Sequence, residues 1–425
     1  MIETIKNAWK IDDLRKKMMF TLFIIVLFRF GAKIPVPFLD ASVLQTYMQI
    51  NSGTIFSYLD MLSGGAFSQA TVFAMSISPY INASIIIQLL TVAIPALERL
   101  AKEGVEGRKK LTAYTRYLTI GIALLQGYGY YAVLNNGGAV KNPGWFTCII
   151  ILGTFMAGTT LLMWMAEQIN NYGIGNGISI ILFSGIVARA PSVLSDMIGY
   201  VKYGQLNIFV VLGIAVVAVL LVALVVLVTN AERRIPVQYA KRVVGRKIYG
   251  GQSTHIPIKV NGTGVLPVIF AQSFISIPAT IGSFLPTPAE GGFWEAVLKA
   301  FQPSSLFYAI LYTIFIVGFS FFYISMTYNP VEIANNLKKN GGFVPGIRPG
   351  RPTSEYISRI LSKITFFGSW FLVFIAILPI ACSWFLPVNV SLGGTTIIIL
   401  VGVALETVKQ MESMMLMRHY KGFLE

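Results

Sequence analysis

Apolar residues run along this chain in long blocks separated by short polar or basic stretches. The blocks fall near 18–37, 71–96, 117–134, 146–166, 178–198, 207–229, 264–285, 305–328, 364–386 and 394–412. Each is close to the roughly 20 residues that a helix needs to cross a bilayer, so the pattern predicts about ten spanning helices. The first block carries Arg29 and Lys33 and lacks an Ala-x-Ala exit, which marks it as a retained span rather than a cleaved leader. One stretch breaks the rhythm. IFSYLDMLSGGAFSQA, residues 55–70, lies between the first two blocks and is too short and too polar to span. In it Ile55, Leu59, Leu62 and Ala66 are spaced for one helical face, while Ser57, Asp60, Ser63 and Ser68 would keep the piece compatible with water. Gly64 and Gly65 each weaken a helix by roughly 0.5–1 kcal/mol relative to alanine, so a loosely held element is expected there.

Composition supports a polytopic membrane protein. The chain is 55% hydrophobic and only 12% charged, about half the charged fraction of a soluble domain. The net charge of +15 is unevenly placed. Lysine and arginine collect before span 1, between spans 2 and 3, 6 and 7, and 8 and 9, and after span 10, whereas the alternate loops hold only Lys141, Lys202 and Lys299. The positive-inside rule then puts both termini in the cytoplasm. Two loops on that side, 230–263 and 329–360, are long enough to suggest a function beyond connection. In the first, Val237–Val244 and Lys247–Tyr249 read as strands about a Gly245 turn, a basic hairpin. In the second, GGFVPGIRPGRP (341–352) rules out a long helix and favours a stiffened, exposed tip.

The spans lack the residues of several chemistries. The charges inside them are few, among them Arg29, Lys33, Arg189, Asp196 and Glu406, most close enough to a span end to snorkel. No paired carboxylates, Walker loop, HExxH motif or serine–histidine pairing is present. Cys148 and Cys382 lie in apolar blocks, and His255 and His419 are far apart, so no metal site, cofactor or catalytic residue is expected. An ion-coupled small-solute transporter, the competing reading, would ordinarily need a titratable mid-membrane site. The spans offer neutral polar residues instead, among them Asn82, Ser84, Gln88, Gln126, Gln272 and Ser273.

The segments TVFAMSISPYINASIIIQLL (71–90), EGRKKLTAYTRY (106–117), GIGNGISI (173–180), YAKR (239–242), QSTHIPIKVN (252–261) and FVPGIRPG (343–350) closely resemble the bacterial members of the SecY/Sec61-alpha family of protein-conducting channels. The resemblance runs through nearly the whole chain. It implies an all-α fold of ten helices in two pseudo-symmetric halves, 18–200 with spans 1–5 and 201–412 with spans 6–10. These form a clam-shell about a central pore, with cytoplasmic ends at 1–17 and 413–425. A hinge would lie between spans 5 and 6, and the shell would open sideways between spans 2 and 7. The family's function implies a passive channel in the bacterial cytoplasmic membrane that passes unfolded preproteins and releases transmembrane segments into lipid. Its implied partners are SecE, SecG, the ATPase SecA or a translating ribosome, and preprotein signal sequences, with no specific nucleic acid beyond ribosomal RNA.

Residue by residue, the resemblance implies that 55–70 is a re-entrant plug, with Ser57, Leu59, Leu62, Gly64, Gly65 and Phe67 in it. Ile77, Ile81, Ile178, Leu182, Ile269 and Ile399 would form the pore ring, with Leu182 standing where family rings often carry isoleucine. Asn82, Gln126, Ser273 and Ile277 would line the lateral gate, closed weakly through neutral polar residues. Arg234, Lys241, Arg242 and Arg348 would dock the motor or ribosome.

Overall fold

The computed structural model describes residues 2–50, 60, 63–204, 207–239, 242–244, 247–249, 253–282, 292–302, 305–385 and 394–421. The first half contains α1 (Ile2–Trp9), α2 (Asp12–Gly31), α3 (Ala41–Ile50), α4 (Ser78–Ala93), α5 (Pro95–Lys102), α6 (Val105–Asn136), α7 (Trp145–Tyr172) and α8 (Gly177–Lys202). The second contains α9 (Ile208–Asn230), α10 (Leu266–Ile275), α11 (Ile277–Gly282), α12 (Phe293–Ala300), α13 (Leu306–Thr327), α14 (Pro330–Lys339), α15 (Arg351–Phe385) and α16 (Gly394–Lys421). Every predicted apolar block carries a helix. Five of them, on α7, α8, α9, α13 and α15, are long and apolar enough to span by themselves, and the bent pair α4–α5 adds a sixth.

Two blocks differ from the straight spans expected, and proline explains both. The block at 71–96 becomes helical only at Ser78, and at Ile94 the chain turns by 103° into α5. Pro95 disfavours helical backbone at the residue before it, and Ile94 is extended at φ −111°, ψ 111°. The block at 264–285 is divided at Ser276 into α10 and α11, because Pro278 has no N–H to give the carbonyl of Phe274.

The helices pack in two groups. In one, α7 lies against α2, α4, α6 and α8; in the other, α13 joins α10 to α15, and α16 joins α15 to α9. The groups meet along two lines. On one side α8 packs on α9 and α16; on the other α10 touches α4 and α11 touches α6. One apolar core, around Ile77, Leu182 and Ile399, takes residues from both groups. A second, around Tyr312 and Leu372, lies within the later group. The amphipathic α1 rests against α16 and α2, burying Ala8 with Leu14, Ile174, Val408 and Met411, and the Thr4 hydroxyl donates to Glu412 Oε1 at 3.1 Å.

The long loops are joined rather than separate. The strand expected over Val237–Val244 is two strands: β1 (Glu232–Tyr239) and β2 (Arg242–Val244), the latter paired with β3 (Lys247–Tyr249) in a small hairpin. β1 pairs along its length with β4 (Ser253–Lys259) and, at Gln238 and Tyr239, with β5 (Gly342–Phe343) from the other loop. Ile235, Val237 and Ile258 bury one face of this sheet against Leu337, Val344, Ile357 and Leu361. The pattern at 235–239 alternates as a half-buried strand should, but its partner strand around Pro257 carries no comparable signal.

The segment before α4 lies backbone to backbone against Gly158 on α7, where an added Cβ would lie 2.0 Å from the Val72 carbonyl oxygen. Gly158→Ala is expected to destabilise the fold by about 1–3 kcal/mol, the usual range for overpacking. Gly153→Ala on the same helix, where a methyl group meets nothing, should be neutral. The aggregation midpoint of the purified protein on heating compares the two; equal midpoints would contradict the assigned packing.

Candidate functional site

The six residues expected in a ring lie in or against one apolar cluster. Ile77 is the N-cap of α4 and its carbonyl accepts the Ile81 N–H at 3.1 Å, so the two stand one turn apart. Ile178 and Leu182 repeat this spacing in the first turns of α8, which Asn176 caps by accepting the Ile178 N–H at 3.1 Å. Ile269 comes from α10 and Ile399 from α16. Ile77, Leu182 and Ile399 are buried; Ile81, Ile178 and Ile269 are half-buried. Branched aliphatic side chains brought together from four helices exclude water and offer no hydrogen bond to anything between them.

Ala66 and Phe73 belong to the same cluster, which brings the chain before α4 down onto it. Of the expected plug, Ser57, Leu59 and Leu62 lie outside the described residues. Residues 63–77 run as consecutive turns rather than the helical face expected for Ala66. Gly64 and Gly65 account for this, with φ of +68° and +86°, a left-handed conformation that glycine adopts without strain. Gly65 N–H returns to the Asp60 carbonyl at 2.9 Å, a bond of the kind that stops a helix. Gly64 is fixed twice over, since a Cβ there would also meet the Gly185 carbonyl oxygen at 2.8 Å.

The expectation that polar residues keep this segment water-compatible and loosely held is corrected by their surroundings. Asp60 and Ser63 are buried. Asp60 Oδ1 accepts the Ser68 N–H at 2.7 Å, and its other oxygen pairs with Arg189 of α8. Ser63 Oγ accepts the Phe67 N–H at 3.0 Å and donates to the Asp60 carbonyl at 2.9 Å. Arg29 of α2 reaches across: Nη2 donates to the Ser184 carbonyl at 3.0 Å and Nη1 to the Gly64 carbonyl at 3.5 Å. Arg29 and Arg189, expected to snorkel, face protein carbonyls and a carboxylate instead. Phe67 stacks on Tyr130 with ring centroids 4.2 Å apart, and the Tyr130 hydroxyl donates to the Phe67 carbonyl at 2.6 Å. The returning strand is sewn to the chain after α2, with Val36 N–H to the Ala70 carbonyl at 2.9 Å and Val72 N–H to the Ile34 carbonyl at 3.0 Å. Upstream, Asp40 starts α3 by accepting from the Ser42 hydroxyl at 2.6 Å. The Ser42 hydroxyl and amide, with Lys141 beyond, hold the Asp40 carboxyl below its ordinary pKa.

The seam between the helix groups is thinner. The half-buried side chains of Asn82 on α4, Gln126 on α6 and Ser273 on α10 have no hydrogen-bond partner among the described residues. The polar closure expected at this seam is therefore not made by direct bonds. Ile277, at the start of α11, is 46% exposed. The neighbouring Gln272 turns inward and accepts from Tyr308 at 3.1 Å. In the loops, Arg234 is exposed and pairs with Glu232 at 2.8 Å, Arg242 stands in the β2–β3 hairpin, and Lys241 lies outside the described residues. Arg348 is exposed between Gly346 and Gly350, both at positive φ, and its carbonyl accepts from Thr353 at 2.9 Å. Among the described residues no group of three His, Cys, Asp or Glu could hold a metal ion.

Sequence reasoning missed Asp60, Arg189, Arg29 and Tyr130 as one network. The available signal was the ionisable residues themselves, since charge at membrane depth is a functional pointer by default.

Comparison with known proteins gives a consistent result. The SecY family model matches residues 71–408. The chain is 47% identical to the protein translocase subunit SecY of Streptomyces coelicolor and 42% identical to that of Aquifex aeolicus, each alignment covering all of both chains. Its fold is similar to a solved protein-conducting channel, with TM-score 0.64 at 19% identity over 94% of this chain and 92% of the other. It is also similar to Sec61 in the canine ribosome–channel complex, with TM-score 0.60 at 18% identity over 94% and 92%.

Tyr130→Phe removes the hydroxyl bound to the Phe67 carbonyl and keeps the ring stack. The Phe67 carbonyl keeps the Ala70 N–H at 3.1 Å, so the loss is that of one hydrogen bond, about 0.5–1.5 kcal/mol, and amide hydrogen exchange in residues 63–72 should accelerate roughly 2–12-fold. Unchanged exchange would mean that this bond does not hold the segment.

Proposed function

This chain belongs to the SecY family, and we propose that it is the protein-conducting channel of a secretory translocase, closed at the cluster of Ile77, Ile81, Ile178, Leu182, Ile269 and Ile399. The observation that carries this reading is the meeting of those side chains from both helix groups, with the turn segment 63–77 folded onto them. Such a collar blocks ions by dewetting and has nothing with which to hold a passing peptide. The segment about 55–70 is the plug. A solved SecY whose plug domain stabilises the closed state and maintains a membrane seal is similar in fold, with TM-score 0.64.

The two helix groups are the halves of the clam-shell, residues 18–200 and 201–412. The α8–α9 side is the hinge, and the α4–α10 and α6–α11 contacts are the lateral gate, which Asn82, Gln126, Ser273 and Ile277 line. Broken helices on both sides of that gate support the assignment, because a span interrupted at Ile94 or Ser276 has less to lose on parting. Among the described residues Asn82, Gln126 and Ser273 make no direct side-chain hydrogen bond, so closure there is mainly a matter of apolar packing. An apolar signal sequence can substitute for it and pass into lipid. The lysine and arginine bias of the loops supports a cytoplasmic position for both termini, and the bacterial relatives support a bacterial cytoplasmic membrane.

On this reading the chain supplies a path and performs no catalysis. Energy comes from SecA or a translating ribosome bound to loops 230–263 and 329–360 through Arg234, Lys241, Arg242 and Arg348, and SecE and SecG bind in the membrane. The fold likeness to ribosome-bound Sec61 supports a ribosome in that role. The β1–β5 pairing makes the two loops one platform for either partner.

Vesicles containing the purified channel complex should import a secretory preprotein only when SecA and ATP are added. Arg348→Glu should abolish that import while the protein still inserts and folds; normal import by the variant would remove Arg348 from the docking surface. Import without the motor, or of a small solute alone, would overturn the channel reading itself.

Ile81→Asn introduces a polar side chain into the collar. It should hydrate the closed state and let preproteins with defective signal sequences pass, with the parent as the tight reference. Signal selectivity equal to the parent's would place the constriction elsewhere.

A further inference from the structure

Asp60 stands out from the rest of the channel interior. Its side chain is 4% exposed, yet it is a carboxylate in an apolar setting, and its partner Arg189 is 31% exposed on α8. A buried charge is tolerated only with its partners in place; taking one partner away is strongly destabilising. Asp60 has partners of two kinds, the Ser68 N–H inside the plug and Arg189 outside it. Arg29 adds a second cation that bonds the plug carbonyl of Gly64 and the α8 carbonyl of Ser184 together. Three segments, α2, α8 and the plug, thus meet through charged groups next to the apolar collar rather than through apolar packing alone.

Resting on the channel reading above, we propose that Asp60, Arg189 and Arg29 are positioning residues for the closed state, a charged latch that seats the plug and ties its departure to the entry of water. With the plug seated, every charge in the group has a partner. With the plug leaving into apolar surroundings, Asp60 and Arg189 would separate unsolvated. Departure into a hydrated passage lets water replace the lost partners. The latch therefore resists spontaneous opening in a dry, closed channel and yields once an inserting chain has parted the collar and let water in. An apolar plug would show the opposite preference, since hydration of the passage would drive it back onto the collar. The pair is interior, so added salt should screen it only weakly.

The test uses the reconstituted channel complex in planar bilayers, beside import of preproteins with intact and crippled signals. Asp60→Asn and Arg189→Gln should each raise resting ion leak on the order of ten-fold or more and admit the crippled signal, while import of the intact preprotein continues. Because the two residues act as one pair, the double variant should leak no more than either alone. Asp60→Glu, which keeps the charge, should recover part of the seal. If the Asp60 variants fail to accumulate in the membrane, Arg189→Gln carries the test. Deletion of 57–69 serves as the reference. A deletion as ion-tight as the parent would overturn the plug assignment. A leaking deletion with Asp60→Asn and Arg189→Gln both tight, or a double variant whose leak is the product of the single effects, would overturn the latch.

Discussion

Backbone amides and carbonyls at membrane depth have no water to bond, so every departure from helix must find partners within the protein. Residues 63–77 make the longest described departure here, and the rest of the site is arranged around meeting that demand. The segment satisfies itself first, with Thr71 N–H on the Ala66 carbonyl at 3.1 Å and Ser76 N–H on the Phe73 carbonyl at 2.9 Å. It then draws on α2 through Arg29, on α6 through Tyr130, on α7 through the close approach at Gly158, and on α8 through Arg189. Two non-glycine residues in it, Ala70 and Ser76, hold positive φ at 47° and 51°. Such conformations are costly and persist only when the surroundings over-determine them. Four helices around a short non-helical segment supply that.

On the proposed channel reading, the collar and the network beside it solve different parts of one problem. Aliphatic side chains seal by excluding water and have no directional preference, so they can part around chains of any sequence and close again. They give the segment above them little positional definition, for the same reason. Hydrogen bonds and ion pairs are directional, and Arg29, Asp60 and Tyr130 fix the segment against three different helices. A seal that must be both indifferent to its cargo and sharply closed at rest uses both kinds of interaction in adjacent layers.

The helices were legible because a long apolar block has only one stable arrangement in a bilayer. The six residues proposed as a ring could be picked out only through resemblance, since Ile399 sits in an isoleucine run whose register no periodicity reveals; the structure gathers them in or against one apolar cluster. The breaks at Ile94 and Ser276 were written in Pro95 and Pro278 but pass unnoticed in a count of apolar residues. The β1–β4–β5 sheet was hidden because β5 comes from the other loop and is only two residues long, and β4 carries Pro257 in its middle. Asp60 was misread for a more basic reason. Spacing shows which residues share a face, but not that a carboxylate among serines will be turned inward to a cation more than a hundred positions away.

The bond from Thr4 to Glu412 closes a separation of 408 residues, and this sets an order of assembly. Of these two helices α1 is made before α16, and at about 5–20 residues per second it waits tens of seconds for that contact. Until α16 is made, α1 has α2 beside it but lacks the Val408 and Met411 side of its seat. Its docking on α16 can occur only once α16 has been made, so this contact reports that α16 is in place. A product truncated before α16 would leave the α16-facing side of α1 uncovered, a ready mark by which quality control could tell it from a chain that carries α16.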